Sequence, residues 1–211
     1  MLLAVFVTAN VSVADVLPYY SGSISNKTIG FAQLSQNTKV YLYPRVDADL
    51  LEDIHWNSYE VNLSRGAVEP RDVFSVFVPE LSLSYCMVVD IQDDWYKIIY
   101  DKNDIKTGWI KLDNKDDFWT LKDFYSHYGR KYGLYYMKNV DYRKRGLYSG
   151  AYSESQKLSG FTLIKSIKLN KISGNWALVT VVDIDSHPKI GYINWRESDG
   201  TIVLFPKIKA R

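Results

Sequence analysis

The chain has 211 residues, 46% of them apolar and 24% charged, with only 12 Gly and 6 Pro; fibrous and disordered classes are excluded, and one large domain or two small ones fit. Its 26 basic and 24 acidic side chains leave a formal charge of +2. That excludes a global field strong enough to drive binding to nucleic acid or an anionic membrane, so any charged site must be local.

Leu2 to Ala14 is apolar or small and carries no charge, matching the core of a signal peptide and falling short of a membrane-spanning helix. Removal near Asp15 is expected, which would make the mature protein extracytoplasmic, either periplasmic or secreted, with no stable membrane anchor. Residues 15–38 then form an N-terminal extension.

Short apolar segments follow at Ile29 to Leu34, Val40 to Tyr43, Val73 to Val78 and Tyr85 to Ile91. They are rich in Val, Ile, Tyr and Phe and are separated by turn-forming residues, the punctuation of an antiparallel sheet. A short helix is expected within Asp47 to Ile54. Cys86 is the sole cysteine, which excludes an intrachain disulfide and a multi-cysteine metal site; inside the run Tyr85-Cys86-Met87-Val88-Val89 it reads as a small core hydrophobe.

The most informative segment is Asp94-Trp95-Tyr96-Lys97-Ile98-Ile99-Tyr100, a turn, then Gly108-Trp109-Ile110-Lys111. Alternation assigns Tyr96, Ile98 and Tyr100 to a core face and leaves Trp95 on the opposite one. Next, Asp117 to Tyr128 carries Phe118, Leu121, Tyr125 and Tyr128 at helical spacing behind Asp caps. Between Tyr125 and Tyr148 lie seven tyrosines, six Lys or Arg side chains and one acid, Asp141. That local excess of five positive charges makes Arg130, Lys131, Arg143, Lys144 and Arg145 a candidate anionic-ligand patch, combining charge with stacking; a solvated basic linker is the competing reading.

The tryptophan hairpin returns as Asn175-Trp176-Ala177-Leu178-Val179-Thr180-Val181-Val182 and Gly191-Tyr192-Ile193-Asn194. Trp to Gly spans 13 residues in the first copy and 15 in the second, an insertion confined to the turn. Ala177, Val179 and Val181 are the second core face. A Leu-Tyr element precedes each copy, at Leu42-Tyr43 and Leu147-Tyr148.

These residues resemble the bacterial SH3-like (SH3b) family, small β-barrels with a strand opening on Trp, a hairpin and a Gly-aromatic-aliphatic strand. The resemblance covers about Lys39 to Leu112 and Gly146 to Phe205. It implies an all-β protein of two small SH3-like barrels, residues 39–113 and 146–211, joined by a helical, basic and aromatic linker at 114–145, with an insertion at about Arg45 to Pro79 in the first. The Asn-Val-Arg-x-Gly-Pro stretch common near the start of such modules is absent from both copies.

The resemblance further implies recognition instead of catalysis. The expected ligand is a cell-wall glycan, a wall peptide or a protein segment, and the expected partner a cell-wall component or envelope protein, with no nucleic acid. Trp95 with Trp109, and Trp176 with Tyr192 and Trp195, are the candidate aromatic clefts, against the alternative that the rings are packing. An assembly subunit of the envelope is a second reading. A cysteine-dependent wall hydrolase is a third, and Cys86 would be its nucleophile; His55, His127 and His187 form no local pattern that presents a base to it. No phosphate-cradling Gly loop or metal-ligand cluster is present, so no cofactor is expected.

Overall fold

The computed structural model describes residues 23–36, 39–57, 60–160, 163–185 and 187–208; the signal-peptide expectation lies outside them. The chain is mostly strand. In order come β1 (Gly30–Gln33), β2 (Lys39–Leu42), β3 (Glu52–Trp56), β4 (Val61–Leu63), β5 (Gly66–Val68), a single helical turn α1 (Pro70–Val73), β6 (Val76–Val78), β7 (Leu83–Gln92), β8 (Trp95–Asp101), β9 (Lys106–Lys111) and β10 (Phe118–Thr120). Helix α2 begins at Leu121–Phe124, passes through a π-helical turn at Tyr125–Gly129 and ends at Arg130–Tyr132. It is followed by β11 (Leu134–Tyr136), β12 (Gly146–Tyr148), β13 (Lys157–Gly160), β14 (Ile164–Ser173), β15 (Trp176–Asp183), β16 (Pro188–Asn194) and β17 (Leu204–Pro206).

The likeness of the two hairpins extends to the order of the strands around them. In the first repeat the neighbours run β10-β1-β7-β8-β9, and Tyr43, just past β2, exchanges both backbone hydrogen bonds with Trp109 of β9. In the second they run β17-β11-β14-β15-β16-β12, and Tyr148 of β12 pairs with Tyr192 of β16. Each Trp follows a turn with a left-handed residue, Asp93 at φ 53° and Gly174 at φ 57°. Each Leu-Tyr element crosses the equivalently placed glycine of its own repeat: a Cβ on Gly108 would meet Leu42, and one on Gly191 would meet Leu147.

Several boundaries differ from the sequence expectation. Strand β1, assigned to an extension, is central in the first sheet, between β10 and β7. Strands β10 and β11, assigned to the linker, belong to the first and second sheets. The helix starts at Leu121, four residues late, because Thr120 caps it by accepting from the Asp123 amide while Phe118 extends into a strand beside Ala32. Asp47 to Ile54 holds a turn and the start of β3 in place of a helix; Asp47 itself is left-handed at φ 58°. Within the expected Arg45 to Pro79 insertion, β3 pairs with β2 as β13 pairs with β12, so the part without a counterpart is β4, β5, α1 and β6.

None of the sheets closes into a barrel. The face that closure would have hidden is covered by the insertion in the first repeat and by the shared core in the second. One core unites Phe31, Tyr85, Met87 and Ile99 of the first repeat with Leu121, Phe124 and Tyr125 of α2 and Val179, Trp195 and Phe205 of the second. Phe31 stands 4.3 Å from Phe124 and 5.9 Å from Phe205 between ring centroids, and the Tyr125 hydroxyl donates to the Leu204 carbonyl. A second core fills the first repeat alone, where Cys86, Val88, Tyr96, Ile98 and Tyr100 meet Ile54, Trp56 and Phe74 of the insertion. Strand β7 therefore buries both faces over Leu83 to Val88, where Tyr85 to Val89 reads as an apolar run, whereas β15 alternates, with Ala177, Val179 and Val181 all fully buried. The expected core faces of both hairpins are buried, but in β8 the opposite face is buried too, with Trp95 at 8% and Ile99 at 2% exposure.

Candidate functional site

In the first repeat the cross-strand pairs Trp95 with Lys111 and Lys97 with Trp109 form a checkerboard on one face of β8 and β9. Each ammonium lies over an indole, Lys111 at 4.8 Å from Trp95 and Lys97 at 5.6 Å from Trp109. Tyr43 meets Trp95 edge-on at 5.2 Å. Both indoles are only 8% exposed, so they do not make the open two-tryptophan cleft expected of them. Trp95 does line a cleft of about 570 Å³ together with Tyr41, Tyr43, Lys39, Lys111, Asp113 and Asp117, and Tyr41 is 47% exposed there. Burial, with Asp113 and Asp116 nearby, raises the pKa of Asp117.

The second repeat repeats the geometry with a different outcome. Trp176 meets Tyr148 edge-on at 5.5 Å, and Trp176 and Tyr192 are half-buried. Trp195 leaves their company. It is 3% exposed, packs at 4.3 Å on Tyr125 and donates from Nε1 to the Gly174 carbonyl. Its expected role in an aromatic cleft is corrected to inter-repeat packing, because the chain beyond β16 turns into the shared core.

The basic stretch gives the stronger site. Gly133, at φ 82°, ends α2 and sends the chain into β11; a Cβ there would stand 2.8 Å from the Ile167 carbonyl. Arg130 and Lys131 on the last turn of α2 thereby come beside Tyr135 and Tyr136 of β11, and all four line a cleft of about 800 Å³. The opposite wall is the first half of β14, from Ile164 to Lys168. Arg145 and Lys207 complete the rim, the latter held by its amide to the Gly133 carbonyl.

Six cationic side chains, Arg130, Lys131, Arg145, Lys165, Lys168 and Lys207, thus surround one cleft, and no carboxylate is among the described residues that line it. None of the six is in an ion pair among the described residues. The Arg145 guanidinium lies over the Tyr136 ring at 5.3 Å and donates from Nη2 to the Val140 carbonyl, while its buried Nε finds no hydrogen-bond partner among the described residues. Burial pushes the Tyr136 phenol well above the ordinary tyrosine range, against the pull of Arg145, and its buried hydroxyl has no hydrogen-bond partner among the described residues.

Of the five predicted patch residues, Arg130, Lys131 and Arg145 line the cleft. Arg143 instead clamps Asp141 through Nε and Nη2 at 2.9 and 2.6 Å, and Lys144 binds Glu197 at 2.9 Å. The Arg143 hydrogen bond takes the Asp141 pKa down to about 2. Lys165, Lys168 and Lys207 were not singled out by sequence reasoning, since only the fold carries them to the patch; the clustering of Lys165, Lys168 and Lys171 along one strand was the available signal.

Cys86 is fully buried, with its thiol 3.9 Å from the Val73 carbonyl, and desolvation pushes its pKa up to about 12. A thiolate nucleophile needs the opposite environment. His127 sits edge-on to Trp119 at 5.1 Å, and His55 is exposed on β3. The His187 amide bonds Asp183 in a turn. Among the described residues there is no group of three or more potential metal ligands and no helix long and apolar enough to cross a membrane. Comparison with family models, with curated proteins and with solved structures finds no match to this chain.

Proposed function

We propose that this chain is a non-catalytic recognition protein, built from two divergent SH3-like modules fused through α2, that holds an anionic ligand in the basic cleft of the second repeat. One observation carries the reading: six cations with no ion pair among the described residues ring a tyrosine-lined cleft of about 800 Å³ in a chain whose net charge is only +2. Cations held with no local acid attract an anion strongly at low ionic strength, and the attraction weakens as salt screens it. Titration with inorganic tripolyphosphate and with a poly-glutamate peptide tests it. Binding should fall steeply between low and physiological salt and be lost in a Lys165→Glu, Lys168→Glu double variant. No binding of either probe at low salt overturns the reading.

A second reading is favoured by Tyr41, which stands exposed at the mouth of the Trp95 cleft beside Lys39. Here the ligand is a wall sugar or wall peptide laid on the ring face. Retention on purified wall material that Tyr41→Ala abolishes supports it, and retention that survives the change counts against it. The envelope setting of both readings rests on the apolar segment from Leu2 to Ala14.

A further inference from the structure

The basic cleft exists because two strands that should lie side by side part company. In the first repeat β1 stays on β7 for four residue pairs, from Gly30 with Val88 to Gln33 with Tyr85, and Leu34 extends the ladder by bonding the Ser84 carbonyl. In the second repeat the corresponding strands β11 and β14 share a single pair, Leu134 with Ile167. Beyond it Tyr136 stays with Leu204 of β17, while Ile164 and Ser166 stay with Asp183 and Val182 of β15. The sheet splits, and the edge of β14 facing β11 has no ladder partner over Ile164 to Ser166 among the described residues. Lys165 is also the extra residue at a register shift in the β14 and β15 ladder, a bulge of the kind that re-aims a strand edge.

An unpaired strand edge inside a cleft is a template for another strand. Strands lie roughly 4.8 Å apart in a sheet about 10 Å thick and rise about 3.3 Å per residue, so a cleft of this volume holds roughly five extended residues. Its rim of cations selects their side chains. We propose that the split between β11 and β14 receives an extended acidic peptide segment of a partner, which adds a strand to the Ile164 to Ser166 edge and lays its carboxylates against Lys165, Lys168 and Lys207. The proposal rests on the reading of this cleft as an anion site and goes beyond it by assigning main-chain recognition.

The test uses the full chain and three probes: an acetylated, amidated heptapeptide alternating Glu and Val, the same peptide N-methylated at alternate residues, and inorganic tripolyphosphate. The heptapeptide should bind and should protect the Ile164 to Ser166 amides from hydrogen exchange. N-methylation removes main-chain donors without touching charge, and it should weaken binding at least about tenfold, the scale of one net hydrogen bond. Equal affinity of the two peptides, or protection absent from that edge, overturns the strand proposal while leaving the anion site standing. Tripolyphosphate binding more tightly than the heptapeptide overturns it in favour of a phosphate ligand. If none of the three binds, both the proposal and the anion reading fall.

Discussion

Gly108 and Gly191 occupy equivalent places in the two repeats, yet their neighbourhoods differ in a way that decides what a methyl group would do. The three atoms nearest a Cβ on Gly108 all belong to the Leu42 side chain, at 3.0 to 3.5 Å; on Gly191 it stands 2.7 Å from both the Leu147 Cγ and the Tyr148 carbonyl oxygen. A side chain can turn aside, whereas a backbone carbonyl held in a ladder cannot. Gly191→Ala should therefore cost more than Gly108→Ala, by roughly 1–3 kcal/mol of overpacking strain, read as the difference in urea midpoints; equal losses would show that β12 is not fixed against β16. Asp101 is the other residue whose surroundings set a measurable sign. Desolvation raises its pKa, but hydrogen bonds from Arg65 and from the amides of Asp104 and Asn103 outweigh it, and the net shift is downward. A carboxylate whose folded pKa lies below its unfolded value near 3.9 stabilises fully above that value and loses its contribution as pH falls through the folded pKa. Asp101→Asn should lower the urea midpoint by a constant amount from pH 7 to about 5, and the gap should narrow below about pH 4. A gap independent of pH would mean that the Arg65 contact is not acting through charge.

At the scale of elements, what the sequence made legible is what local pattern controls. Strand β15 alternates because it packs a core on one face, so Ala177, Val179 and Val181 announce themselves; in β8 the alternation of residue types marks Tyr96 and Ile98, but Trp95 and Ile99 on the other face are buried as well. Trp95, Trp109 and Trp195 mislead for the same reason: alternation says which face a ring is on, not what covers it, and the covers here are Tyr43, two lysines and Tyr125. Strands β1, β10 and β11 were hidden because short segments in an apparent extension and linker become strands only through pairing with residues far along the chain. The basic cleft was half legible, with Arg130, Lys131 and Arg145 clustered in sequence and Lys165, Lys168 and Lys207 brought in by β14 and β17. Helix α2 illustrates how such a segment is fixed in place. Its π-helical turn sets Tyr125 into the shared core with its hydroxyl on the Leu204 carbonyl at 2.8 Å. Tyr125→Phe keeps the ring and orphans that carbonyl, so it should destabilise by about 1–2 kcal/mol, measured by urea unfolding; no loss would indicate that water reaches Leu204.

For the molecule as a whole, the decisive fact is that the larger core belongs to neither repeat. Phe31 comes from the first sheet, Phe124 and Tyr125 from α2 and Phe205 from the second sheet, and their rings are in mutual contact. The hydroxyls of Tyr85 and Tyr128 bond across the same boundary at 2.7 Å, and Arg196 reaches the Thr28 carbonyl at 3.3 Å. A chain of two independent barrels would unfold in two steps and each half would survive alone. Here removal of residues up to Tyr132 would uncover Leu134, Trp195, Leu204 and Phe205 together, and an isolated second repeat would face water with an unfilled apolar face. The intact chain should accordingly unfold in urea as a single transition, with tryptophan fluorescence and far-ultraviolet circular dichroism giving the same midpoint. Phe124→Ala, which empties the junction itself, should shift both signals together by about 3–5 kcal/mol. Two separated midpoints, or a fragment beginning at Gly133 that melts cooperatively, would show that the repeats are self-sufficient and that α2 merely tethers them.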